Sequence, residues 1–184
     1  MGDMRKTELV NLVMFVFGSY IDYRLQEVQP VLEEYFGPVD YISKTLDFDK
    51  YTSYYNDEMG YRLLGKLLSF TRLIHPLQLS VAKRITNSIE TKFALEGKRR
   101  VNLDPGYIHH AQFVLASTKH WANRVYIGNG IYAEITLMFV NGQLTPLQYT
   151  YPNYKDREYI DELMKIREQY LEKRKKRQFD NNSN

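Results

Sequence analysis

No cysteine occurs in the 184 residues. Disulfides, thiolate nucleophiles and cysteine-ligated zinc or iron–sulfur centres are thereby excluded, and a cytoplasmic setting is the simplest expectation. A large excess of one charge is also missing. Lys and Arg total 25 against 22 Asp and Glu, a formal net charge of +3, which is too small to argue for DNA binding by itself. No long hydrophobic run is present either. The nearest, LVNLVMFVFG over residues 9–18, is about half the length a membrane span needs. It follows Arg5 and Lys6 as a signal peptide's apolar region would. It nevertheless contains Asn11, has no Ala-x-Ala-like cleavage site and leads straight into a helical pattern, so it reads as a buried first strand. Neither H-E-x-x-H nor G-x-S-x-G occurs, which leaves zinc-protease and serine-hydrolase chemistry without local support. His109 and His110 are adjacent and on a strand would point to opposite sides. The four histidines therefore read as ordinary hydrogen-bonding residues, with His120 after Lys119 the one of most interest.

Tyrosine, by contrast, is abundant at 16 residues, favouring β-structure and core rings with polar tips. Periodicity gives the order of elements. Leu9–Phe17 is a strand buried on both faces. Asp22–Phe36 is a helix stopped by Gly37-Pro38, and Val39–Phe48 alternates as a strand. Thr52–Gly60 is aperiodic and aromatic, a loop or single turn. Leu63–Leu73 is a strand and Pro76–Leu95 a helix with Leu79, Ala82, Ile85, Ile89 and Phe93 on its apolar stripe. Short strands follow at Arg99–Leu103, Ala111–Thr118, Arg124–Ile127, Ile131–Val140 and Leu144–Tyr149. Pro105-Gly106, Gly128-Asn129-Gly130 and Asn141-Gly142 read as turns. Asp156–Lys176 is a C-terminal helix, acidic early and basic late, and the last eight or so residues form a frayed tail. The expected fold is a single α+β domain over residues 1–184. Its core is a ferredoxin-like βαβ-βαβ unit with an extended antiparallel sheet, and helices cover one sheet face while the other is open for function.

Alternation selects the candidate site. Lys98, Arg100, Asn102 and Asp104 share one face of their strand, with Arg99, Val101 and Leu103 on the other. Along Ile131–Phe139, Ile131, Ala133, Ile135, Leu137 and Phe139 face the core, while Tyr132, Glu134, Thr136 and Met138 face away. If the polar faces coincide, Lys98, Arg99, Arg100, Asn102, Lys119, His120 and Tyr132 become ligand-binding candidates, with arginine forks and lysine charges suited to phosphate or carboxylate. Asp104 and Glu134 become the candidate acid–base pair, or the carboxylates for a Mg²⁺ ion. The competing reading is a solvated face with cross-strand ion pairs such as Arg100 with Glu134. Thr52–Gly60 is placed as a lid, with Tyr54, Tyr55 and Glu58 lining what it covers.

GYRLLGKL over residues 60–67 has the G-x-x-x-x-G-K spacing of a phosphate loop, but Leu67 stands where Ser or Thr would hold magnesium, so the match reads as chance. KRKKR over residues 173–177 could touch RNA, though a charged last helical turn explains it as well. Taken with YYNDEMG, SFTRLIHP, LASTKHWANRVYIGNGIYAEITL and YTYPNY, the segment EGKRRVNLDPGY resembles the uncharacterised prokaryotic family known as domain of unknown function 4416. The similarity spans nearly the whole chain apart from its extreme termini. It implies a compact cytoplasmic protein and places Lys98, Arg99, Arg100, Asn102, Asp104, Lys119 and Glu134 in signature segments without assigning them roles. Whether the chain is an enzyme stays open. The expectation is a small phosphorylated or anionic ligand, nucleotide-like, with Mg²⁺ as a candidate ion. The alternatives are an RNA-binding module and a protein-interaction or dimerisation domain.

Overall fold

The structure, a computed structural model, describes residue 3 and residues 6–182. Along the chain come β1 (Val10–Gly18), α1 (Ile21–Phe36), β2 (Val39–Ile42), β3 (Leu46–Asp47), a 3-10 turn at Asp49–Tyr51, α2 (Asn56–Met59), β4 (Leu64–Ile74) and α3 (Gln78–Lys92). They are followed by β5 (Asn102–Ile108), β6 (Gln112–Ser117), β7 (Val125–Gly128), β8 (Ile131–Val140), β9 (Gln143–Pro146), α4 (Pro152–Lys155) and α5 (Arg157–Asn182). The nine strands form one antiparallel sheet in the order β2-β4-β1-β5-β6-β8-β7, with β3 against β4 and β9 against β8. The fold is α+β, with a large antiparallel sheet and a C-terminal helix.

β1 is buried at all nine positions because it lies mid-sheet between β4 and β5. Val10, Leu12, Met14 and Val16 enter one core layer, covered by α1 and α3 through Val28, Leu32, Ala82 and Ile89. Val13, Phe15 and Phe17 enter the other, which is covered by α5 through Tyr159, Leu163, Ile166 and Tyr170. Those four α5 residues recur at helical spacing and are fully buried. Helices thus cover both sheet faces, which corrects the expectation of one open face. The functional space has to lie within the layers.

Asp156 sets the start of α5. Its Oδ1 accepts the Glu158 N–H at 2.9 Å, and its Oδ2 accepts from the Tyr51 hydroxyl at 2.5 Å and from Lys50 Nζ at 3.1 Å. The Tyr51 hydrogen bond above all, with Glu158 N–H and Lys50, holds the carboxyl down to about 2. A carboxylate depressed in the folded state contributes stability above its ordinary pKa and loses it as pH falls through the folded value. Urea denaturation from about pH 5 to about pH 2 should therefore show a loss of stability that Asp156→Asn flattens. An unchanged acid limb in that variant would contradict the assignment.

Several boundaries differ from the sequence expectation for identifiable reasons. The strand read over Val39–Phe48 is two strands, because Ser43 breaks it: its Oγ accepts the Leu67 N–H at 2.9 Å. The tail read as frayed continues α5 to Asn182, and residues 183 and 184 fall outside the described set. Thr52–Gly60 contains the single turn α2. Within β8, Ile131 and Leu137 are buried, Ala133 packs beside Ile131 and Met138 is exposed as the alternation expects, but Glu134 and Thr136, expected to face away from the core, are buried and Ile135 is exposed. The register shift in the β6–β8 pairing at Phe113/Val114 comes after Ile135, and beyond it Leu137 lies in the core layer of Phe15 and Tyr159. Pro105-Gly106, read as a turn, lies inside β5, which begins at Asn102 rather than Arg99. His109 and His110, past the end of β5, do not point apart, and their ring centroids are 4.0 Å from each other. Gly65 and Leu67 of the phosphate-loop spacing belong to β4. A Cβ on Gly65 would stand 2.4 Å from the Phe15 ring, so packing accounts for that glycine.

Candidate functional site

The site begins with a proline. β5 pairs with β6 only over Gly106–Ile108. At Leu103, the N–H donates to Glu90 Oε1 at 2.7 Å and the carbonyl accepts from Lys83 Nζ at 3.0 Å, so both groups face away from β1. Two residues on, strand alternation turns the Pro105 nitrogen to the same side, and it carries no hydrogen to donate. The ladder to β6 stops there. At Gly106 the strands are in close contact, since a Cβ there would meet the Val114 carbonyl oxygen at 2.6 Å. Beyond it they part, and two side chains of α3 take up the backbone groups that a neighbouring strand would have satisfied.

The parting opens a cavity of about 660 Å³, a size suited to a metabolite. Phe15, Asn102 and Asp104 line it from β1 and β5, and Leu115 to Ser117 from β6. Lys83, Asn87 and Glu90 reach it from α3. Phe48, Tyr51, Tyr54 and Tyr55 form an aromatic wall, and Tyr151 to Tyr154 close another side. Register explains why these side chains meet. Phe15 pairs with Asp104, Gly106 with Leu115, and Leu115 with Glu134, so Asp104 and Glu134 project from the same sheet face.

Charges around the cavity are mostly matched. Lys83 Nζ is 3.0 Å from Asp104 Oδ1. Arg124 Nε is 2.9 Å from Glu134 Oε2, and its Nη1 donates to Ser117 Oγ at 2.8 Å and the Lys119 carbonyl at 2.9 Å. Arg99 bonds Glu58 Oε1 at 2.7 Å, Asn102 Oδ1 at 2.7 Å and Glu90 Oε2 at 3.4 Å. Its hydrogen bonds lower the Glu58 carboxyl. Burial pushes Glu90 the other way, above the usual carboxylate range, against the pull of Lys83 and the Leu103 N–H. The Tyr55 and Tyr154 hydroxyls are also raised by burial, which keeps them protonated. Lys119 differs from the other lining cations: among the described residues its ammonium meets no carboxylate and lies 5.1 Å from the Tyr54 ring centroid. Two buried groups of lining residues, Asn102 Nδ2 and the Tyr154 hydroxyl, have no hydrogen-bond partner among the described residues. Each such group costs about 1–3 kcal/mol if left unmade.

Of the residues singled out in sequence, the structure brings Arg99, Asn102, Asp104, Lys119 and Glu134 to this cavity, along with Tyr54 and Tyr55. Lys98, Arg100, His120 and Tyr132 lie outside its lining. Lys98 Nζ reaches the Asp57 carbonyl at 3.3 Å, and the His120 ring sits 5.3 Å from that of Tyr132. Glu134 pairs with Arg124, not Arg100. Arg99 faces the cavity despite the expected alternation because it precedes the strand. Sequence reading missed Lys83, Asn87, Glu90, Arg124 and Tyr154. The first three had a signal, since spacing i, i+4, i+7 puts them on one helix stripe beside the apolar one. Arg124 and Tyr154 had none. Part of the KRKKR run is tied into the fold: Lys173 Nζ bonds Asn11 Oδ1 at 2.6 Å and the Phe70 carbonyl at 2.9 Å.

Among the described residues, no helix is long and apolar enough to cross a membrane. Residues 8–170 match the model of a family described as Domain of unknown function (DUF4416). No curated protein and no solved structure matches the chain.

Proposed function

The chain belongs to the DUF4416 family, and from that premise we propose that its cavity binds a small ligand joining a flat ring to an anionic group, as a nucleotide does. The observation carrying this reading is the set of unanswered donors. Asn102, Tyr154 and Lys119 line one space, and among the described residues the Asn102 Nδ2 and the Tyr154 hydroxyl, buried at its wall, have no acceptor and the Lys119 ammonium meets no carboxylate. Phosphate or carboxylate oxygens would satisfy them. The wall of Tyr51, Tyr54 and Tyr55 offers ring faces on which a base can stack. Asp104, with its side chain 34% exposed against 5% for Glu134, is the carboxylate best placed to meet an Mg²⁺ arriving with a phosphorylated ligand. Glu90, buried and raised, is the group that proton transfer at this site would draw on.

The strand order β5-β1-β4-β2, with α1 and α3 in one layer, supports a ferredoxin-like core of two split βαβ units, to which β6, β8 and β7 extend the sheet. An RNA-binding reading has less support, because Lys173 of the basic run is engaged within the fold.

Thermal-shift measurements with nucleoside mono- and diphosphates and sugar phosphates, with and without Mg²⁺, test the proposal. Nucleotides should raise Tm more than sugar phosphates of equal charge, and Lys119→Ala should weaken the nucleotide effect about tenfold or more in concentration. A flat response to every nucleotide, or an equal response in the variant, would count against it.

A further inference from the structure

At the far end of β5 lies a second group of residues that the cavity does not use. Glu8, just before β1, meets His109 and His110 in the turn from β5 to β6, and one ligand atom from each lies within 4.8 Å of the others. Asp104, which lines the cavity, is five residues along the strand from His109, roughly 17 Å away, so the two sites are separate.

We propose that Glu8, His109 and His110 form a binding site for a divalent first-row metal ion, with zinc the best fit. The distances are the first reason. Glu8 Oε2 is 3.1 Å from His109 Nε2 and 3.4 Å from His110 Nδ1. Ligand atoms at about 2.0–2.2 Å from a tetrahedral zinc stand roughly 3.3–3.5 Å apart, so an ion fits among these atoms with small ring movements. The donor set is the second reason. Two imidazoles and one carboxylate suit zinc and its neighbours, and do not suit Mg²⁺ or Ca²⁺, which take oxygen. The third is the supporting shell. Arg174 donates to the second Glu8 oxygen, Oε1, and Arg167 Nε bonds the His110 carbonyl at 2.9 Å, so carboxylate and turn are both held in place from α5. The three side chains are 22–42% exposed, which leaves a fourth position open to water.

Two contacts oppose the ion and define how it would bind. Arg174 Nη1 lies 3.4 Å from His110 Nδ1, and the Ala111 N–H lies 3.5 Å from His109 Nδ1. Both are at the outer limit of hydrogen bonding and cost little to release. The Arg174 charge is the larger opposing force, and its bond to Glu8 Oε1 offsets it in part by holding the carboxylate, so the site is tuned to moderate affinity. The ion would staple the segment before β1 to the β5–β6 turn.

Titration calorimetry of the full chain, carrying no affinity tag, with zinc chloride tests this. One zinc per chain is expected, weakened at least tenfold by His109→Ala and by Glu8→Gln and unchanged by His120→Ala, a histidine outside the cluster. Cobalt(II) added to the native chain, which needs no variant to fold, should give the intense visible bands of a four-coordinate ion. Absence of zinc binding, equal binding by His109→Ala, or a cobalt spectrum of the weakly coloured six-coordinate ion would overturn the proposal.

Discussion

Arg124→Met should destabilise the fold by about 3–5 kcal/mol, the usual consequence of removing one member of a buried ion pair. Side chains of Arg124 and Glu134 are only 9% and 5% exposed, and the guanidinium also holds Ser117 Oγ and the Lys119 carbonyl. Without it, the Glu134 carboxylate stays buried with no cation beside it. The double variant Arg124→Met, Glu134→Leu should regain most of the loss, because two apolar groups leave no uncompensated charge behind. Denaturant unfolding of the three proteins decides the matter. If the double variant is no more stable than the single one, the loss comes from the contacts to Ser117 and Lys119 and not from the stranded carboxylate.

Lys83→Met should cost a similar amount, about 3–5 kcal/mol near neutral pH. The ammonium is buried and is bonded both to the Leu103 carbonyl and to Asp104. It also draws down the Glu90 carboxyl, which burial raises and which Asp104 raises further. Removing Lys83 lifts Glu90 higher still. A carboxyl whose folded pKa is raised binds its proton more tightly folded than unfolded, so the folded state gains as pH falls and loses as pH rises through that value. The deficit of Lys83→Met should therefore be smaller at pH 5 than at pH 7. Equal deficits at the two pH values would show that Glu90 is not the group released. The same lysine answers a backbone carbonyl at the place where Pro105 ends the ladder, so its loss should also disturb the cavity's edge.

How far the chain could be read in advance depended on which forces act locally. β1 was legible because a strand at the centre of a sheet needs apolar residues on both sides, and Leu12 to Phe17 supply them. α3 and the Asn141-Gly142 hairpin were legible for similar reasons: helical spacing marks the first, and positive φ at Asn141 and Gly142 demands those residue types in the second. β5 was misread because Pro105-Gly106 has the composition of a turn. Its place inside a strand follows from tertiary structure, in which Gly106 admits the Val114 carbonyl and Pro105 stands where no partner strand asks for a hydrogen.

The candidate site was half legible. Asn102, Asp104 and Glu134 were found through strand alternation, and register does bring the last two to one face. Alternation failed for Arg99 and Arg100 because neither lies in a strand. Lys83 and Glu90 were passed over because a charged residue beside an apolar stripe is ordinarily solvated, and only the gap beside Leu103 draws these two inward. The pairing of Glu8 with His109 and His110 joins residues about a hundred positions apart, and no spacing in the sequence announces it.

The central claim is that unanswered donors in the split between β5 and β6 await an anionic ligand with a flat ring. The most direct measurement is the NMR spectrum of the side-chain amides during titration with a nucleoside monophosphate. The Asn102 amide should shift with the same saturation curve as signals from Tyr54 and Tyr55, and the curve should move to higher concentration in Lys119→Ala. Saturable shifts confined to other surfaces, with the Asn102 amide unmoved, would contradict the account.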